Sequence, residues 1–142
     1  MSNYILDKAY VADEPGGIHA ACVVVPGDSP GTCCLPLGIN ASRVLGVTLF
    51  QRYHQGQNIT VRKAGIARCL AAEKINYGDP VMVANSRGYV CTAHRKHLPD
   101  GYVANVIGFA ESSAEEAGDI VEVFLSFHQR HVSFNIMKGE KP

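Results

Sequence analysis

The sequence predicts a mainly β fold: a small pseudo-symmetric β-barrel or β-sandwich of the β-tulip or β-clip kind, with flexible terminal arms. Three observations predict it. Short β-prone runs alternate with Gly, Pro, Asn and Asp, no apolar period of 3.6 residues persists for three clean turns, and one pattern occurs twice along the chain. The β-prone runs fall at 18–25, 43–50, 59–63, 65–71, 80–84, 88–92, 104–110 and 120–127. Breakers between them, among them Pro26-Gly-Asp-Ser-Pro-Gly31, Asn76-Tyr-Gly-Asp-Pro80 and Asn85-Ser-Arg-Gly88, supply the positive or preset φ that tight turns need. Asn85 to Gly88 between two apolar runs predicts a hairpin. Helix is limited to one turn at most near 110–117, because Gly118 follows so closely.

The repeat is the most informative feature. Val44-Leu-Gly46-Val47 and Val106-Ile-Gly108-Phe109 stand at the same offset as Gly56-Gln-Asn-Ile-Thr-Val61 and Gly118-Asp-Ile-Val-Glu-Val123. Each copy reads as an apolar strand containing a glycine, a polar loop, then a turn glycine that launches an alternating strand, and Gly78-Asp-Pro-Val-Met-Val83 repeats the last part. Alternation puts Ile59 and Val61, and Val121, Val123 and Leu125, on one face, leaving Thr60, Arg62, Glu122 and Ser126 on the other. Glycines inside strands mark bulges or close backbone approach, so Gly46 and Gly108 predict two equivalent bends.

A chain of 142 residues is sized for a single domain that needs neither disulfides nor a metal for its core. Its expected organisation is an N-terminal arm at 1–17, a β core at 18–127 and a C-terminal tail at 128–142. Thirteen Lys plus Arg balance thirteen Asp plus Glu, so no global field draws the protein to nucleic acid or an anionic membrane. No apolar run is long enough to cross a bilayer, and the first residues do not form a Sec-type signal, so no membrane partner is expected.

Candidate chemistry is sparse. The five cysteines, Cys22, Cys33, Cys34, Cys69 and Cys91, show no C-x-x-C spacing, so free and mostly buried thiols are expected. Cys33 and Cys34 should point to opposite faces of an extended segment, and Cys69 alternates onto a core face. His94 and His97 are three apart but bracket Arg95 and Lys96 and precede Pro99-Asp-Gly101, which favours an exposed basic loop over a ligand pair. His128 and His131 flank Arg130 and read as surface or interface residues rather than ligands. No G-x-S-x-G elbow, P-loop, Rossmann glycine set or H-E-x-x-H is present, so no enzyme activity, cofactor or metal is expected.

The ordered set Pro36-Leu-Gly38, Arg43-Val-Leu-Gly46-Val-Thr48, Gly56 with Ile59-Thr-Val61, Gly65-Ile-Ala67, Gly78-Asp-Pro-Val81, Gly88-Tyr-Val90, Val106-Ile-Gly108 and Gly118-Asp-Ile-Val-Glu-Val-Phe-Leu125 resembles the capsid-decoration (cement) proteins of tailed phages. The resemblance covers roughly 37–125. It implies a virion protein, made in the host cytoplasm, that binds the outside of an assembled head as a homotrimer and clamps neighbouring copies of the major capsid protein. The segments 30–36, 94–97 and 128–142 depart from the family pattern. Apolar residues near the chain ends, where frayed termini are normally polar, supply the expected contacts: Tyr4, Ile5, Leu6 and Tyr10 at the start, and Phe127, Phe134 and Ile136 toward the end, with His128 beside Phe127 added to them. Two other classes are consistent with the composition. One is a small carbohydrate- or ligand-binding β-domain of the antifreeze-like or β-clip type, which an exposed aromatic groove would favour; the other is a metal enzyme using the Cys and His set.

Overall fold

A computed structural model describes residues 4–50, 53–98 and 103–132. Among these residues ten strands form two sheets: β1 (Leu6–Ala12), β2 (Val23–Pro26), β3 (Thr32–Cys34), β4 (Gly46–Thr48) and β5 (Asn58–Ala64), then β6 (Ile66–Leu70), β7 (Pro80–Val83), β8 (Val90–Thr92), β9 (Val103–Ala110) and β10 (Ile120–His131). The only helical element among the described residues is a short 3-10 turn at Arg95–His97, so none is long and apolar enough to cross a membrane. The first sheet is a closed barrel in the order β1-β3-β2-β4-β5, and the second runs β6-β10-β9-β7-β8.

The two sheets are copies of one frame. Val47 and Thr48 of β4 face Arg62 and Val61 of β5, and at the matching places Phe109 and Ala110 of β9 face Phe124 and Val123 of β10. β2 pairs with β4 as β7 pairs with β9, and β2 with β3 as β7 with β8. The first barrel closes through a parallel pair, Val11 to Thr32 and Ala12 to Cys33. In the second half that closure shrinks to one parallel bridge, Ala71 to Val90, beside the hydrogen bond from Ala72 N–H to Val90 O at 2.8 Å.

Local chemistry explains the repeat. Gly56, Gly78 and Gly118 have φ of 90°, 91° and 94°, a region in which side chains are costly. The next residue in each case turns its side chain back onto a backbone N–H three residues earlier: Gln57 Oε1 accepts from His54 at 2.7 Å, Asp79 Oδ2 from Asn76 at 3.0 Å and Asp119 Oδ2 from Glu116 at 3.2 Å. One turn design thus launches β5, β7 and β10. Asp119 also accepts from Glu115 N–H, so the short helical turn allowed near 110–117 is a side-chain-capped loop instead.

The buried faces of both sheets share a core. Val23 and Val47 of the first sheet pack in one cluster with Val81, Val83, Ile107, Val121 and Val123 of the second. The alternation read from Ile59, Val61, Val121, Val123 and Leu125 holds, since all five are buried.

Two boundaries differ from expectation. The expected N-terminal arm at 1–17 is, from Leu6 to Ala12, strand β1, which closes the barrel along β5 and so covers an edge that would otherwise leave backbone groups unpaired. The expected tail at 128–142 begins inside β10, which continues to His131 against β9 after a bulge between Leu125 and His128. Residues 133–142 lie outside the described residues.

At Gly46 an added Cβ would press on Arg62 O and lie 2.8 Å from Val61 Cγ1; at Gly108 it would press on Phe124 O and lie 2.8 Å from Val123 Cγ1. Because the obstructing atoms include backbone, relief requires the strands to part. Gly46→Ala and Gly108→Ala are each expected to destabilise the protein by about 1–3 kcal/mol in urea unfolding. Gly38→Ala, where nothing lies within 4 Å, is the control expected to change little.

Candidate functional site

The outer face of β6 and β10 carries an apolar pair where solvent-facing strands normally carry polar residues. Inward alternation of Val121, Val123 and Leu125 forces Ile120, Glu122 and Phe124 outward, and antiparallel register sets Phe124 opposite Ile66, Glu122 opposite Arg68 and Ile120 opposite Leu70. Ile66 remains 44% exposed and Phe124 49%. Tyr4, 72% exposed, and Ile5 extend this surface, and with Ala64, Gly65 and Arg62 the four apolar residues line a groove of about 530 Å³. The turn at Gly65, φ 100°, admits the N-terminal segment closely: a Cβ there would lie 3.0 Å from Tyr4 O.

Arg62 fixes the rim. Its Nε donates to Asp7 Oδ1 at 2.9 Å, Nη2 to Asp7 Oδ2 at 3.1 Å and Nη1 to Ile66 O at 3.0 Å, joining β1, β5 and the start of β6. Beyond this ion pair a second depression contains Phe50, Leu49 and Ile120. Phe50 is exposed and has φ 65°, a strained conformation for a bulky side chain.

The internal duplication supplies a control for this surface. Asp7 and Arg62 are direct partners across β1 and β5, at the place that Ile66 and Phe124 occupy across β6 and β10. One cross-strand position therefore holds an ion pair in the first half and an exposed apolar pair in the second. The frame accepts a polar solution there, so folding alone does not require Ile66 and Phe124 to be apolar.

The residues expected at the contact surface divide. Tyr4 and Ile5 lie at the groove, and Leu6 is exposed on β1 opposite Ala64. Tyr10 does not: it is 7% exposed, packs in the barrel core with Ile18, Ile59 and Val61, and its hydroxyl accepts a hydrogen bond from Lys63 Nζ at 2.8 Å. Pairing with Ile59 puts it on the inward phase of β1, which the reading of 1–17 as an arm overlooked. Phe127 is exposed but lines a separate depression with Arg43, Val44 and Ile107. His128 stacks on Phe109, ring centroids 5.6 Å apart, with Nδ1 2.8 Å from Ser126 O. Phe134 and Ile136 lie outside the described residues. Ile66, Phe50 and Ile120 escaped the sequence reading, although Ile120 and Phe124 are the out-of-phase apolar residues of an alternating strand.

The five cysteines are free thiols. Cys33 is buried while Cys34 is half-buried, the opposite orientation expected of neighbours in a strand. Burial is the main cause that pushes the thiol of Cys22 up to about 11 and those of Cys33, Cys69 and Cys91 up to about 12. His97, expected in an exposed loop, is instead half-buried with Nε2 3.0 Å from Glu73 Oε2.

No protein-family model and no curated protein matches the sequence. Among solved structures, the chain is similar to the crystal structure of the N base of head fiber gp8.5 from bacteriophage phi29. The alignment has 15% identity and a TM-score of 0.59, and covers 87% of this chain and 95% of that one. The likeness is one of fold.

A raised thiol pKa stabilises the folded state fully below the ordinary value of 9.0, and that contribution is lost as pH rises toward 11 to 12, because the unfolded chain ionises first. The urea midpoint is therefore expected to fall steadily above pH 9.0. Native alkylation near neutral pH should reach Cys34 first, with the other four labelled only on unfolding, as peptide mapping by mass spectrometry would read directly.

Proposed function

We propose that this chain is a structural protein of a tailed-phage head, which binds the outer capsid surface through the Tyr4, Ile5, Ile66 and Phe124 face and holds neighbouring capsomers together. The observation that carries the reading is the fold shared over most of both chains with a phage head-fiber base. The motif order resembling phage decoration proteins supports it independently. So does the apolar substitution at a position where the same frame, in its other half, uses Asp7 and Arg62.

The chemistry suits protein docking. A neutral chain has no long-range steering, so its affinity must come from desolvated apolar contact. Burying the half of Ile66 and of Phe124 that is still exposed contributes about 1 kcal/mol each, roughly half the value for full burial. Three linked copies at a threefold position multiply that modest contribution through effective concentration, which gives the homotrimer its purpose in this reading. The groove has two aromatic side chains, as a sugar site would. Apart from the Tyr4 hydroxyl, however, its polar lining side chain is Arg62, already engaged by Asp7 and Ile66 O, so it offers little to read hydroxyl groups.

The test copies the first half's solution into the second: Ile66→Asp with Phe124→Arg. The double variant should fold, with circular dichroism and urea midpoint close to those of the parent. Cosedimentation with undecorated heads of the phage that encodes the chain should show binding weakened by more than about tenfold, as expected for loss of two anchors. A folded double variant that saturates heads as the parent does would remove this face from the function, and a parent that ignores heads altogether would remove the function itself.

A further inference from the structure

The duplication also exposes a second site. Because Ala71 to Val90 repeats the closing pair Ala12 to Cys33, the residues just beyond it correspond: Glu73 follows Ala71 as Glu14 follows Ala12, and Cys91 follows Val90 as Cys34 follows Cys33. Both halves thus place a carboxylate beside a thiol at the barrel seam. In the first half these groups are occupied, since Glu14 Oε1 accepts Leu35 N–H at 2.9 Å and Cys34 Sγ lies 3.5 Å from Pro26 O.

The second half differs by one added ligand. The 3-10 turn after β8 brings His97 Nε2 to 3.0 Å from Glu73 Oε2, and a carboxylate oxygen of Glu73, Cys91 Sγ and an imidazole nitrogen of His97 all lie within 4.8 Å of one another. Cys91 is 2% exposed, while the sides of Glu73 and His97 are partly open. Tetrahedral zinc needs nitrogen, oxygen and sulfur ligand atoms roughly 3.3–3.6 Å apart, a spacing this cluster reaches by small side-chain adjustments. Thiolate and carboxylate together neutralise a divalent ion, and imidazole with thiolate selects zinc over magnesium or calcium.

We propose that Glu73, Cys91 and His97 bind one zinc ion, with water in the fourth position, and that the ion staples the seam of the second sheet. On binding, the Cys91 thiol releases its proton to solvent and the sulfur forms the metal bond, while the proton shared by His97 Nε2 and Glu73 Oε2 passes by way of solvent to His97 Nδ1 so that both atoms can ligate; nothing is oxidised or reduced. Lys96 Nζ, 3.7 Å from Glu73 Oε1 on a side chain 60% exposed, holds the carboxylate in the metal-free protein and swings into solvent when the ion enters. The staple acts where the backbone ladder is weakest: the first barrel closes with two residue pairs, the second sheet with the single Ala71 to Val90 bridge. A bare ion pair of Glu73 with His97 would make no use of the buried thiol.

The full chain, stripped with chelator and dialysed against zinc or cobalt, tests this. Elemental analysis should find about one zinc per chain, cobalt should develop a thiolate charge-transfer band, and zinc should raise Tm. His97→Gln, on a partly open turn, should fold and lose affinity by more than about tenfold, at least the loss seen when outer partners of metal ligands are removed. Cys91→Ser should lose the charge-transfer band, whereas Glu14→Gln in the first half should leave metal binding unchanged. Should Cys91→Ser fail to fold, the cobalt band of the parent and its loss in His97→Gln decide. Absence of a thiolate band in the parent, or equal zinc content in His97→Gln, would leave a hydrogen-bonded cluster only and overturn the proposal.

Discussion

Two crossings at which only glycine fits govern the architecture. At Gly46 the β4 backbone rides against the carbonyl of Arg62, and at Gly108 the β9 backbone rides against that of Phe124, with a valine methyl group beneath each. Strands this close must bend sharply over their neighbours, which curls a five-stranded sheet toward closure. The bend also fixes the phase of β5 and β10. Once Val61 and Val123 lie under the glycines, the next residues, Arg62 and Phe124, are obliged to face outward. The surface chemistry of both halves follows from a steric constraint inside.

That constraint also explains how much of the fold was legible. Gly46 and Gly108, the glycine-launched strands, and the alternating Val121, Val123 and Leu125 are local signals, because a turn or a pleat is set by residues a few positions apart. Strands β1 and β3 were not legible. β1 pairs with β5 about fifty positions away and with β3 in parallel, so its role is set by distant backbone rather than by its own sequence. Leu6 and Lys8 on it are exposed, which masks the inward placement of Tyr10 and Ala12. β3 has three residues, too few to show alternation.

The surface sites were less legible for the same reason. Tyr4 and Ile5 drew notice as apolar residues near an end, yet what makes them a surface is Ile66 and Phe124, brought beside them by the β5 to β6 turn at Gly65. Of the two histidines paired by spacing, His94 and His97, the structure shows His97 meeting an acid from far along the chain. That acid is Glu73 across the seam, a meeting decided by barrel closure and invisible to any search for close-spaced ligands.

Duplication turns the molecule into its own comparison. Residues alike in both halves, such as Gly46 with Gly108 or Val61 with Val123, answer to the frame; residues that differ at matched places are free of it. Asp7 with Arg62 tie the N-terminal strand to the barrel through two charge-assisted hydrogen bonds, a job already complete in the first half. Ile66 with Phe124 make no such tie and leave apolar surface in water, a state that is unfavourable until something covers it. The same logic separates Glu14, engaged with a backbone N–H, from Glu73, which meets a histidine and a lysine beside a buried thiol. Divergence between the halves includes one outer face and one seam, and at those two places the chain departs from what its own fold demands.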